Sequence, residues 1–149
     1  MGFVRLVKSV DTTVYYYKNI NLCDIKAQYN PERFHFWKSL HEGPEEEALN
    51  MLFSPHYRFL MDRDNKAYYQ LQRFYGRNNK WIKNKIDKFI GVFESIKNDG
   101  FKKQIMLLEK PLVSNDYNNG LEIFEGHHRV ACCLVLGIRK IPCQIIRRD

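Results

Sequence analysis

The residues best suited to chemistry lie together in the run Glu125-Gly126-His127-His128-Arg129. A helix that begins here presents unpaired backbone N–H groups and a positive partial charge, and glycine lets an anion approach the backbone closely. An arginine in the first turn donates two hydrogen bonds to phosphate oxygens, and a histidine beside it adds another donor. The run therefore predicts a phosphate-binding helix start, although spacing alone also permits a helix start with solvent-exposed histidines.

The elements around this run can be read from hydrophobic periodicity. Residues 81–97 place apolar side chains on one helical face, and Gly100 ends that helix. Residues 127–136 form an apolar helix that Gly137 ends. Strands are predicted at 104–108, 121–124 and 141–146, with an extension at 111–113 and a turn-forming loop at 114–120. Residues 81–149 are therefore predicted to form the core around the glycine.

The preceding residues, 1–80, are predicted to form strands and a helical cap. Strands are expected at 3–10 and 13–17, and helices at 44–52, 56–61 and 66–75. Ser54-Pro55 is typical of a helix cap followed by the first helical residue. The expected fold class is α+β, with an α/β-like small mixed sheet, packed helices and a helical N-terminal extension that joins the core in one compact unit.

Composition narrows the choice of partners. The 149 residues include 24 Lys or Arg and 17 Asp or Glu, a net charge of +7, which favours polyanionic ligands but also suits a solvated basic surface. No apolar run is long enough to span a membrane and residues 1–10 do not resemble a secretion signal, so a cytoplasmic protein is expected. The four cysteines are expected to be buried, reduced thiols, and neither zinc nor haem is expected.

The segment from Glu125 to Ile146 resembles the ParB/sulfiredoxin superfamily. The shared positions are Gly126, His128 and Arg129 in the glycine box, Ala131 in the helix, and then Leu136-Gly137 and Ile141-Pro142. The helix and strand before it, Phe93 through Gly100 to Ile105, also match, with Gln104 where the family usually has proline. The resemblance covers residues 85–146 and implies binding of ATP, ADP or another nucleoside triphosphate by the glycine box.

The resemblance also implies roles for particular residues. Lys88 and Ser95 match positions whose side chains face the nucleotide, and the other interpretation is a surface lysine and a helix-end serine. Glu125 matches the acid of kinase-like members, where it would hold Mg²⁺ or accept a proton. Its alternative is a strand-end acid that faces water. Candidates for a second carboxylate are Glu32, Glu42 and Asp62.

Departures from the family pattern exclude some activities and leave two open. His127 replaces the sulfiredoxin cysteine, so sulfinic-acid reduction is not expected. Because the chain stops at Asp149, we expect no helix-turn-helix reader. The favoured function is phosphoryl transfer from ATP or ADP with Mg²⁺ to a small hydroxyl-bearing acceptor, with Glu125 and His128 as catalytic residues. The alternative is a ParB-like NTP-gated DNA-binding or nuclease module.

Two further features carry alternative interpretations. His56 and Tyr57 are candidates for the substrate pocket, although aromatic residues at helical spacing more often belong to a core. A basic run interleaved with Trp81 could bind a nucleic-acid backbone. The favoured interpretation is that it forms the solvent-exposed face of an amphipathic helix. The run consists of Arg77, Lys80, Lys83, Lys85 and Lys88. The sequence leaves the oligomeric state open.

Overall fold

A five-stranded mixed sheet forms one layer of the protein. The structure, a computed structural model, describes residues 12–22, 25–26, 31–41, 43, 47, 50–108 and 121–148. The strands are β1 (Thr12–Asn21), β2 (Ile25–Lys26), β3 (Ile105–Leu108), β4 (Leu121–Glu125) and β5 (Lys140–Arg148). Their order across the sheet is β1-β5-β3-β4-β2. The strands nearest the N-terminus therefore lie at the two edges, and the strands from the second half of the chain lie between them.

The pairing of strands joins the two halves of the chain. β1 runs antiparallel to β5 along its whole length, from Thr12 opposite Arg148 to Asn21 opposite Lys140. β3 is parallel to β5 and antiparallel to β4, while β2 adds to β4 in parallel. The two N-terminal strands are thus part of the same sheet as residues 81–149.

Five helices pack with this sheet, and most begin or end at residues with a clear local reason. They are α1 (Pro31–Ser39), α2 (Pro55–Asp62), α3 (Lys66–Phe74), α4 (Asn79–Asp99) and α5 (His127–Val135), with a short 3₁₀ helix at Met51–Phe53. The Ser54 hydroxyl accepts a hydrogen bond from the Tyr57 N–H and caps α2, and Asn78 caps α4 in the same way. Gly100 ends α4 with a positive φ.

Helix α5 lies at the centre of the core. Val130 through Cys133 are completely buried because α2 and α4 pack against this helix while the sheet covers it as well. Burial raises the pKa of the Cys132, Cys133 and Cys143 thiols to about 12, so all three remain protonated. These three cysteines are free, which confirms the expectation of reduced, buried thiols for them. Cys23 lies outside the described residues.

The α+β prediction is confirmed, and most elements appear where periodicity placed them. Helix α4 starts two residues earlier than predicted because Asn78 caps it. Helix α1 was not predicted, since its apolar residues show little one-sided periodicity. The predictions over 3–10, 111–113 and 114–120, and most of 44–52, lie outside the described residues. No helix within the described ranges combines the length and apolar character needed to cross a bilayer.

Candidate functional site

Gly126 makes the turn that starts the candidate site. Its φ of 124° is one that side-chain-bearing residues rarely adopt, and it lies between the end of β4 and the first residue of α5. Its carbonyl accepts the first helical hydrogen bond from the Val130 N–H at 2.9 Å. Since Gly126 has no side chain, it cannot cap the helix as Ser54 and Asn78 cap α2 and α4. The first N–H groups of α5 are therefore left without a side-chain cap.

The start of α5 opens onto a cavity of about 450 Å³. Its walls come from both halves of the chain: α1 to α3 and the following turn form one side, and α4, the end of β4 and the start of α5 form the other. The lining residues are Trp37, His56, Gln72, Tyr75, Arg77, Trp81, Lys85, Val92, Phe124, Glu125, Gly126, His127, His128 and Arg129. The cavity thus combines aromatic rings, imidazoles and cations around an uncapped helix start.

Positive charge in this cavity is not balanced by nearby acids. Burial lowers the pKa of Lys85, and the charges of Lys88, Arg129 and Arg77 lower it further. Among the described residues that line the cavity, Glu125 is the single acid, and it is exposed. No ion pair between these cations and an acid occurs within the described ranges. An anionic ligand would relieve the mutual repulsion of these cations.

His128 is a neutral member of a buried hydrogen-bond chain. Its Nε2 lies 2.8 Å from the hydroxyl of Tyr68, which is completely buried. Burial, together with the charges of Lys85, His127 and Arg129, lowers the pKa of His128 to about 3. Burial also raises the pKa of Tyr68, so both groups are neutral at physiological pH. His128 therefore offers the cavity a neutral imidazole and not a cation.

The contact between Tyr68 and His128 can run in either direction, because the phenol can donate or accept and a neutral imidazole carries one N–H. When the phenol donates to Nε2, the imidazole proton lies on Nδ1, and His128 can donate a hydrogen bond through that atom. Gln72, one turn along α3 and also buried, partly offsets the rise in the pKa of Tyr68.

His56 forms a second buried polar position at the same cavity. Its ring lies 4.5 Å from the ring of His128 and 5.4 Å from that of Trp37, measured between centroids. Burial, with the charges of His128, His127 and Lys85, lowers the pKa of His56 well below its usual range. His56 Nδ1 and Trp37 Nε1 are both buried and have no hydrogen-bond partner among the described residues. These two ring nitrogens therefore keep hydrogen-bonding capacity that the described residues do not use.

The structure brings together only some of the predicted site residues. Glu125 through Arg129 and His56 all line the large cavity. Lys88 is exposed and is not one of the residues lining the cavity, whereas Lys85, one turn earlier, is. Ser95 lines a smaller neighbouring cavity that it shares with Arg129. Tyr57 is half-buried, packs against the core and does not line the cavity.

The candidates for a second carboxylate are not placed at this cavity. Asp62 is exposed at the end of α2 and is not among the lining residues. Glu42 lies outside the described residues, and the side chain of Glu32 does too. No group of three or more His, Cys, Asp or Glu suited to a metal ion is found in the part of the chain that the structure describes. Glu125 is therefore the carboxylate available to Mg²⁺ among the described lining residues.

Several wall residues were not predicted from the sequence. Trp37 belongs to the unpredicted helix α1, and Gln72 lies on α3, outside the resemblance. Tyr68, also on α3, lies behind the wall, where it contacts His128. Lys85 and Arg77 stood in the basic run, which was interpreted as the solvent-exposed face of a helix or as a contact for a nucleic-acid backbone, and not as part of the phosphate site. The spacing of Tyr68 and Gln72, four residues apart on one helix, was the available signal that they share a face.

Comparisons of the chain with protein-family models, with curated proteins and with solved structures find no match.

Proposed function

We propose that the large cavity binds ATP, ADP or another nucleoside triphosphate through its phosphates, and that the protein transfers a phosphoryl group to a small hydroxyl-bearing acceptor. The observation that carries the binding proposal is the convergence of the uncapped α5 start with Arg77, Lys85 and Arg129 on one cavity. The resemblance of the glycine box to nucleotide-dependent members of the ParB/sulfiredoxin superfamily supports the choice of nucleotide and of reaction.

Each residue around the phosphates has a distinct task in this proposal. Arg129 donates paired hydrogen bonds to phosphate oxygens, and Lys85, which forms no ion pair with an acid among the described residues, neutralises charge. His128 donates its Nδ1–H as a neutral group, and the first N–H groups of α5 donate hydrogen bonds to the remaining phosphate oxygens. Phosphoryl transfer needs such positioning and charge neutralisation more than covalent participation by the protein.

Glu125 supplies the carboxylate that the reaction needs. Mg²⁺ usually binds through one or two carboxylates together with substrate phosphates, and a single acid at the cavity edge fits that requirement. The acceptor oxygen bonds to the terminal phosphorus as the bond to the leaving nucleotide oxygen breaks. The hydroxyl proton passes to a base, a role that Glu125 also fits. Bound Mg²⁺ would supply positive charge to neutralise the phosphates.

A second candidate function is a nucleotide-gated nucleic-acid-binding or nuclease module, which the basic residues of α4 favour. Incubation with each nucleoside triphosphate separates the two candidates when hydrolysis and transfer are followed together. Transfer to a member of a pool of small alcohols and amino acids supports the kinase. Hydrolysis that DNA stimulates, without transfer, supports the module.

Replacement of Arg129 by alanine should weaken nucleotide binding. Because the guanidinium makes charge-assisted hydrogen bonds, we expect a loss of roughly 1.5–3 kcal/mol, or roughly 10- to 150-fold in Kd, measured by calorimetry with ATP. Arg139→Ala removes the same charge at an exposed position away from the cavity and should leave the Kd unchanged. An unaltered Kd in a folded Arg129→Ala protein would refute the phosphate-site assignment.

Replacement of Glu125 by glutamine should separate binding from turnover. The amide keeps the size of the side chain but can neither hold Mg²⁺ well nor accept a proton. We therefore expect ATP binding close to that of the unaltered protein and no detectable phosphoryl transfer, followed with radiolabelled ATP. Glu94→Gln, at an exposed position on α4, is the matched control. Transfer at the original rate in Glu125→Gln would remove Glu125 from the reaction.

A further inference from the structure

The positive surface continues beyond the nucleotide cavity along one side of α4. A second cavity of about 240 Å³ lies beside the first, and Val92 and Arg129 line both. Ser95, Phe101, Lys102 and Lys103 contribute to the second cavity, along with Ile96 and Gly100. The two cavities are therefore adjacent compartments that meet at Arg129.

The residues that connect the cavities follow one face of the helix. Trp81, Lys85, Lys88, Val92 and Ser95 succeed one another at intervals of three or four residues, and we call them the α4 stripe. The stripe spans 15 residues of helix, and its two ends lie about 21 Å apart along the axis. Such a length suits an extended ligand with several phosphates better than one nucleotide.

Cations outnumber acids along the stripe and in the two cavities. Arg77, Lys85, Lys88, Lys102, Lys103 and Arg129 lie there, and Glu125 is the single acid among the described residues that line the cavities. The acids Asp87 and Glu94 lie two residues from Lys85 and Val92, so they project from another side of α4. Lys102 and Lys103 add two exposed cations at the far end. A polyanion is the complementary partner.

Aromatic rings stand at both ends of the stripe. Arg77 lies over the half-buried ring of Trp81, 4.5 Å from its centroid, and forms a cation–π pair beside the large cavity. Phe101, also half-buried, lines the small cavity. Nucleic-acid bases stack on such rings without regard to sequence, while cations between them hold the backbone. A polyanion without bases would bind the cations but would not stack on the aromatic rings.

We propose that the α4 stripe, with Arg77, Arg129, Lys102 and Lys103 at its sides, binds single-stranded nucleic acid. The phosphates follow the cations, and bases stack on Trp81 and Phe101. Since both contacts use groups common to DNA and RNA, the two should bind alike. The strand crosses Arg129 and therefore competes with the nucleotide of the proposed function, but Lys102 and Lys103 contact the strand alone.

The test measures the anisotropy of labelled oligo(dT) and oligo(U) on the full chain at several salt concentrations. With about six phosphate contacts, log Kobs should fall with log salt at a slope of about −4. Lys102→Ala/Lys103→Ala should weaken oligonucleotide binding roughly tenfold while ATP binding by calorimetry stays unchanged. Lys83→Ala, on the opposite face of α4, is the control and should have little effect.

Other outcomes overturn the proposal. If Lys83→Ala weakens oligonucleotide binding as much as Lys102→Ala/Lys103→Ala does, the strand binds through overall positive charge and not along the α4 stripe. Binding of heparin or of duplex DNA as tight as that of oligo(dT) would remove the role of the rings. Fluorescence of Trp81 should be quenched by oligo(dT), because the other tryptophan, Trp37, is 1% exposed. If the unaltered protein binds oligonucleotides but does not bind ATP, the proposed nucleotide-binding function is wrong and the nucleic-acid proposal stands.

Discussion

A Gly126→Ala substitution is expected to lower the free energy of unfolding by about 2–5 kcal/mol, the combined scale of backbone strain and overpacking. A Cβ at this position would lie 2.6 Å from Ile105 Cγ2 and 2.8 Å from Ile105 Cβ. Ile105 is fully buried in β3 and cannot retreat. The φ of 124° adds strain for any residue with a side chain.

Two other glycines separate the causes of this loss. Gly137→Ala retains the strain of a positive φ, 75°, in open space, while Gly91→Ala sits in α4 with nothing within 4 Å of the new Cβ. We expect the melting temperature of Gly126→Ala to be far below that of Gly137→Ala. The melting temperature of Gly91→Ala should equal or exceed that of the unaltered protein. If Gly126→Ala and Gly137→Ala have the same melting temperature, the contact with Ile105 does not contribute to the loss of stability at Gly126.

The same close approach that makes Gly126 indispensable also builds the site. β3 and β4 are neighbours in the sheet, so the turn after β4 passes directly over Ile105 at the start of β3. That passage directs the start of α5 toward α4 and the cavity. A larger residue would displace the helix start and, with it, Arg129. Stability and the proposed phosphate binding should therefore depend on the same position, and we expect Gly126→Ala to weaken both.

Local chemistry explains why this part of the structure could be predicted from the sequence. A strand pattern, a glycine, polar residues and an apolar run follow one another within residues 121–136, and each signal needs only its neighbours. The caps at Ser54 and Asn78 are equally local. The α+β class follows from the same signals, because strands and helices were both identified.

The wall of the cavity opposite α5 depends on contacts distant in the sequence. Tyr68 and His128 are 60 residues apart, and only the packing of α3 near α5 brings the phenol to the imidazole. The resemblance identified Lys88, whereas the structure places Lys85 on the cavity wall. A shift of three residues keeps the same helical face but moves the side chain along the axis. The position of α4 along its own axis depends on its packing against other elements, and the spacing of residues in the sequence does not reveal that packing.

Acid should destabilise this protein steeply because two imidazoles at the cavity, the buried His56 and the half-buried His128, are uncharged in the folded state. The pKa of His128 is lowered to about 3 and that of His56 is also well below the 6.5 of an unfolded histidine. The unfolded state therefore binds protons first as the pH falls. Stability from these groups is complete above pH 6.5 and is lost as the pH falls. For His128 the loss is about 1.4 kcal/mol per pH unit until the pH approaches its pKa of about 3, and His56 adds a loss in the same direction.

Urea denaturation between pH 7 and pH 4.5 measures this loss, and variants assign it. His128→Asn removes one titrating group, so its stability should fall less steeply with acid than that of the unaltered protein, by about one proton per molecule unfolded. His35→Gln, at an exposed position, should retain the full slope. Equal slopes for the two variants would mean that His128 is protonated in the folded protein. Its Nε2 would then donate to Tyr68, and the imidazole would contribute a positive charge to the proposed phosphate site instead of a neutral donor.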